Sequence, residues 1–140
     1  SHASIIRRVL DHFHPTNKLI QYGIRSGPKE EFKWMRDNKT LATSLSECCD
    51  WIEAIANERP IYLTLDLDFF DPAYLPGTGT PEAGGENFHH FMKILKILNE
   101  KNLVGADVVE LAPMLDPTQN SSCFASKVVR EILLAMNKES

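Results

Sequence analysis

Two aspartates one residue apart, Asp66 and Asp68, close a run of apolar and β-favouring residues made of Ile61, Tyr62, Leu63, Thr64, Leu65 and Leu67. Alternation along a strand predicts that Thr64, Asp66 and Asp68 share one face while Leu63, Leu65 and Leu67 share the other. Carboxylates so close repel each other, and a buried one without a partner is costly, so a cation is expected beside them. No basic residue stands between Pro60 and Glu86, which favours a metal ion over a salt bridge. The alternative is an edge strand with solvated aspartates ahead of a surface turn. The residues that follow speak for a site: Asp71-Pro72, Pro76-Gly77, Gly79, Pro81 and Gly84-Gly85 make a long loop of fixed and permissive backbone positions, with Thr78 and Thr80 among them. A loop of this length inside a compact domain is functional or disordered, and its prolines point to a shaped one.

The remaining reactive side chains read more plainly. His12 and His14 stand two apart in a helical pattern, which sends them to different sides and suits solvated or helix-terminal roles, and His89-His90 reads the same way. Cys48, Cys49 and Cys123 lack metal-ligand spacing and read as ordinary thiols of a reducing compartment.

The elements that must hold these residues alternate. Residues 4–14 place Ile5, Ile6, Val9, Leu10 and Phe13 at helical spacing and stop at Pro15. Residues 18–24 predict a short strand running into Arg25, and Pro28 begins a helix over 29–38. Ser44 or Ser46 caps a helix with Leu45, Cys48, Trp51, Ile52 and Ile55 inward. After the strand and the glycine loop, 86–101 predicts a helix with Phe88, Phe91, Ile94, Leu95 and Leu98 inward. A strand over 103–110 then ends in Glu110, 111–120 is loop, and Ser121 or Ser122 caps a last helix carrying Phe124, Val128, Val129, Ile132, Leu133 and Met136. Such alternation indicates parallel strands joined by right-handed crossovers with helices on the faces. Ligands gather at the carboxyl ends of such strands, where Arg25, Asp66, Asp68 and Glu110 all fall.

The phrase LDLDFFDPAYLPGTGTPEAGG resembles the signature of the ureohydrolase family, the arginases and agmatinases. Ser1-His2-Ala3-Ser4, Tyr22-Gly23-Ile24-Arg25-Ser26-Gly27, Val109-Glu110-Leu111-Ala112-Pro113 and Asp116-Pro117 agree with it in order and spacing, and Pro81-Glu82 is closer to agmatinases. The resemblance implies a three-layer α/β/α fold with a parallel sheet, with residues 1–140 forming the C-terminal half of a single domain. It implies two manganese ions and a small guanidino substrate, with agmatine hydrolysed to putrescine and urea by the full-length protein. By the same resemblance Asp66 bridges both ions, Asp68 holds one, and Glu110 grips the guanidinium through paired charge-assisted hydrogen bonds. His2 shuttles a proton to the leaving amine, Thr80 helps to orient Glu110 or the substrate, and Arg25 anchors structure. The family also draws a histidine and an Asp-x-His-x-Asp segment from an upstream half, and no such segment occurs between Ser1 and Ser140. Asp11-His12-Phe13-His14 does not replace it. The 140 residues alone are therefore expected to be inactive. Arginase or guanidinobutyrase chemistry, a non-catalytic subunit bound to a full-length relative, and a module holding one metal through Asp66, Asp68 and Glu110 are the alternatives.

Composition fits this frame. The chain has 140 residues, 43% hydrophobic and 24% charged, enough for one domain with a core. A net charge of −4 without a basic cluster argues against nucleic acid as a partner, and no apolar run approaches a membrane span. A cytoplasmic protein is expected, and the family resemblance implies a homo-oligomer, a trimer or hexamer.

Overall fold

A computed structural model describes residues 3–138. Its regular elements are α1 (Ala3–Asp11), α2 (Lys29–Asp37), α3 (Leu45–Glu53), β1 (Pro60–Asp66), α4 (Phe88–Asn99), β2 (Asn102–Val109) and α5 (Asn120–Met136), with short 3-10 turns at Leu67–Phe69 and Pro113–Leu115. β1 and β2 are parallel neighbours joined through α4, the arrangement expected of a strand, helix, strand unit.

Pairing runs from Pro60 with Asn102 to Asp66 with Val109, and a bulge between Ile61 and Tyr62 shifts the register. The bulge leaves Tyr62, Thr64 and Asp66 beside Gly105, Asp107 and Val109. Leu63, Leu65, Ala106 and Val108 join the core on the opposite face, where α4 and α5 pack on β2 and α3 packs on α4. Phe91, Ile94, Leu95 and Leu98 of α4 meet Ala125, Val128, Ile132 and Ala135 of α5 in one buried cluster. The other face of the sheet is open, with Tyr62 63% and Val109 42% exposed.

Three local expectations differ from what is observed. The stretch 18–24 pairs only through Gln21 with Leu41, a single parallel bridge, because Gly23 adopts φ +81 and turns the chain out of extended form. α1 stops at Asp11, before the stretch ahead of Pro15, a position from which proline disfavours helix. Neither Ser121 nor Ser122 caps α5. Gln119, at φ 63, occupies the cap position, and the buried Asp116 carboxylate receives the Ser121 amide at 2.8 Å and hydroxyl at 2.6 Å, and the Thr118 amide at 3.0 Å and hydroxyl at 2.6 Å. Ser44, by contrast, caps α3 as read, accepting from the Glu47 amide at 3.1 Å.

Candidate functional site

β1 carries the first aspartate to its end and then stops. The Asp66 Oδ1 accepts the backbone amide of Asp68 at 3.0 Å, and this local hydrogen bond starts the 3-10 turn over Leu67–Phe69. Asp68 therefore leaves the strand, contrary to the alternation argument, which holds for Thr64 and Asp66 only. The turn nonetheless keeps the two carboxylates together, since Asp66 acts on the Asp68 carboxyl both as a charge and as a hydrogen-bond partner. Leu67 and Phe70 are buried to 1% exposure and fix the turn from beneath. Phe70 packs edge-on against Phe91 and Phe124, with ring centroids 5.6 and 4.7 Å away.

Burial pushes the Asp68 carboxyl pKa up, and the neighbouring Asp66 charge pushes it further; Arg25 and a hydrogen bond from the Thr80 hydroxyl act in the opposite direction. A carboxylate whose ionisation a neighbouring carboxylate opposes is the chemical condition that a bound cation relieves. The donors are hard oxygens, which suit manganese or magnesium better than a thiophilic metal. Asp66 and Asp68 thus fit as part of a metal site. Among the described residues no group of three or more His, Cys, Asp and Glu side chains forms a complete one.

Register places Glu110 in the same neighbourhood. Val109 pairs with Asp66, so Glu110 is the next residue past the end of β2, beside the Asp66–Asp68 turn. Its φ of 71 puts a non-glycine residue in the left-handed region, a sparsely populated conformation that surrounding structure must hold. Ahead of it, Thr64 Oγ1 donates to Asp107 Oδ1 at 2.7 Å across the two strands.

The glycine loop folds back on the turn through two ties. Asp71 Oδ1 accepts from the Ala73 amide at 2.9 Å, and its Oδ2 from the Gly84 and Gly85 amides at 2.8 and 3.0 Å. These bonds, that of Ala73 foremost, lower the Asp71 pKa. Gly84 has φ +89, and a Cβ on Gly85 would lie 2.5 Å from the Asp71 nitrogen, so both glycines are required for the loop to lie against the turn. The second tie is Arg25, whose Nη2 donates to the carbonyls of Asp68 at 2.5 Å and Glu82 at 2.9 Å. At the far end of the loop, the Gly77 amide donates to Ser121 Oγ at 2.8 Å, which joins it to the start of α5.

Beside the loop, Glu86 accepts from Tyr22 Oη and is hydrogen-bonded to His90 Nδ1. Burial would raise the Glu86 pKa, but these two hydrogen bonds outweigh it and hold the carboxyl below its usual range. Glu86 also bridges to Phe70 through its backbone.

Of the residues singled out from the sequence, Asp66 and Asp68 come together at the end of β1, and Glu110 follows the end of the neighbouring β2. His2 lies outside the described residues. His12 and His14 are exposed, and His14 meets Thr16 Oγ1 at 2.8 Å. His90 is half-buried against Glu86 rather than solvated. Cys48, Cys49 and Cys123 are free thiols, and burial pushes that of Cys48 up to about 12. The cation beside Asp68 does not come from between Pro60 and Glu86: it is Arg25, from 43 residues earlier in the chain. The signals for it in the sequence are the placement of Arg25 at a strand end and the anchoring role that the resemblance implies.

A sequence profile of the arginase family matches residues 1–135. An agmatinase of Bacillus cereus is 43% identical over 143 residues, covering 99% of this chain and 49% of the relative. A guanidinobutyrase of Pseudomonas aeruginosa is 31% identical over 97% of this chain and 46% of its own length. The proclavaminate amidino hydrolase of Streptomyces clavuligerus superposes with a TM-score of 0.81 at 28% identity, over 94% of this chain and 47% of that one. The chain spans about half the length of the curated relatives it matches.

Proposed function

This chain belongs to the arginase family, and from that premise we propose that it supplies the substrate-gripping and part of the metal-holding side of an amidinohydrolase, with agmatine as substrate and putrescine and urea as products. The observation that carries this reading is the backbone register, which sets Asp66, Asp68 and Glu110 at or just past the carboxyl ends of two adjacent parallel strands. Asp66 and Asp68 would hold manganese through carboxylate oxygens, Asp66 toward two ions and Asp68 toward one. When bound, the ions would supply a water acidic enough to serve as nucleophile near neutral pH.

Glu110 faces a planar cation. A carboxylate with two acceptor oxygens matches the paired N–H groups of a guanidinium, and such charge-assisted pairs fix orientation as well as position. Its place one residue beyond the strand pair with Asp66 supports a guanidinium bound near the carboxylate pair. Water adds to that carbon, the bond to the alkyl-bearing nitrogen breaks, and the amine departs with a proton to leave urea. His2 is the proposed carrier of that proton, its ordinary pKa lying near neutrality. The alkyl tail would be read outside these groups, so guanidinobutyrate and arginine are competing substrates of the same chemistry.

Two carboxylates supply too few ligands for two ions that each take about six. The remaining ligands must come from polypeptide beyond these 140 residues or from a second chain. The open face of the sheet, with Tyr62 and Val104 at 63% and 56% exposure, supports a covering element there, because parallel sheets are buried on both faces. The same observation favours the second reading, a non-catalytic subunit that docks on a full-length relative; in the first reading the whole protein would assemble as a homo-oligomer, a trimer or hexamer.

The test is urea release from agmatine with manganese added, by the protein containing this sequence. Asp66→Asn and Glu110→Gln should each lower it by at least about 100-fold, the upper range for even an indirect metal-site change. Unchanged activity in both variants would refute the assignment. Cleavage of arginine but not agmatine would keep the site and change the substrate.

A further inference from the structure

We propose that Arg25 is a positioning residue whose guanidinium sets the turn carrying Asp68 against the loop carrying Thr80, an inference that rests on the reading of Asp68 as a metal ligand. The residue reaches this place because the chain before it lies flat on the turn. Gly23, at φ +81, has the Phe69 ring 2.4 Å from where a Cβ would stand, so any side chain there would lift the segment away. Two residues later the Arg25 side chain enters between two stretches of backbone.

Its hydrogen bonds all go to carbonyls. Nη2 donates to Asp68 O at 2.5 Å and to Glu82 O at 2.9 Å, and Nη1 to Phe69 O at 3.3 Å. Asp68 and Phe69 end the 3-10 turn, where carbonyls lack partners within the turn. Glu82 lies two residues after Thr80, with Pro81 between them. Proline restricts φ, so a fixed Glu82 carbonyl leaves Thr80 little freedom. The Thr80 hydroxyl acts on the Asp68 carboxyl in the direction that favours its ionised form. One guanidinium therefore holds the backbone of Asp68 and, through Pro81, the segment that carries Thr80. Asp71 holds Gly84 and Gly85, so the loop is held at Glu82 and again two and three residues beyond it.

Lysine does not replace this group. Its nitrogen sits where the central carbon of the guanidinium would be, one bond short of Nη2, and it has no second terminal nitrogen for Phe69.

The experiment compares amide hydrogen exchange in the wild type, Arg25→Met and Arg25→Lys, all without metal. Both variants should speed exchange at Gly84 and Gly85 by at least 10-fold (about tenfold per 1.4 kcal/mol of opening) while the amides of α4, α5 and the β1–β2 pairs keep their protection. Unchanged exchange at Gly84 and Gly85, an equal rise throughout the chain, or full restoration by lysine would each overturn the proposal. Electron paramagnetic resonance of free Mn²⁺ then reads the ion itself in the same samples. Binding should weaken by about 10-fold in both variants, the size of effect expected when a ligand loses its support. A loosened loop with unaltered Mn²⁺ affinity would also overturn positioning. If the whole wild-type protein containing this sequence, with its remaining ligands present, binds no Mn²⁺, the manganese reading fails, while the exchange data still decide whether Arg25 ties the turn to the loop.

Discussion

Replacing Lys101 with methionine should cost the fold about 2–4 kcal/mol, a large share of the stability of an ordinary domain. Lys101 is only 8% exposed, and its Nζ donates to Glu53 O at 2.8 Å, Ile55 O at 2.6 Å and Asn57 Oδ1 at 2.9 Å. All three ammonium protons are therefore used. Glu53 ends α3, where helix carbonyls lack internal partners and a cation interacts favourably with the dipole, by about 0.3–1 kcal/mol. Hydrogen bonds from a charged donor contribute about 1.5–3 kcal/mol each in isolation, but three made by one nitrogen are not additive. Water reaches the freed carbonyls past the exposed Ala54, Ala56 and Asn57, which moderates the loss. Removing the cost of burying the ammonium offsets more of it, leaving about 3 kcal/mol. In a chain of this size that is a fall in Tm of roughly 10 °C. Urea unfolding followed by circular dichroism should show a lower midpoint at unchanged slope. The exposed Lys96→Met is the control and should stay within about 0.5 kcal/mol of wild type. A Lys101→Met midpoint equal to that of the control would refute the claim that this lysine ties α3 to the start of β2.

Two further outcomes follow from the loop and its anchor. Gly85→Ala meets the backbone of Asp71 and Phe70 at 2.5–2.8 Å and should lower Tm by several degrees, whereas Gly79→Ala meets nothing within 4 Å and should change stability by less than about 1 kcal/mol; thermal unfolding of the pair reads both. The Asp116 carboxyl is held well below its ordinary 3.8 by the Ser121 hydroxyl first and Thr118 next. A depressed folded-state pKa gives stability that is present above the unfolded value and lost as pH falls through the acid range. Asp116→Asn should therefore be less stable at pH 7 and show a shallower fall in Tm between pH 5 and pH 2; an acid limb as steep as the wild type would refute the role.

Much of the site was legible because its signals are local. The Asp-x-Asp spacing, the apolar run before it and the proline and glycine positions after it are contained in one stretch from Tyr62 to Gly85, and α2, α4 and α5 follow apolar spacing that survives in the folded chain. The expected strand over 18–24 does not form because its apolar residues pack on the core, as Ile20 and Tyr22 do, without a ladder to join. The start of α5 departs from its expected serine cap because the carboxylate of Asp116, five residues before Ser121, makes stronger charge-assisted bonds to the Ser121 amide and hydroxyl.

The amino-acid sequence by itself determined the alternation of helices and strands, the family, and the identity of Asp66, Asp68 and Glu110 as the groups of interest, since residue type and spacing are one-dimensional properties. Tertiary structure alone decided that Asp68 leaves the strand in a 3-10 turn, that Val109 pairs with Asp66 and so brings Glu110 alongside, and that Arg25 stands between the turn and the loop. Register and side-chain reach depend on how the whole core packs, and partners 43 and 57 residues apart leave no local trace of their meeting.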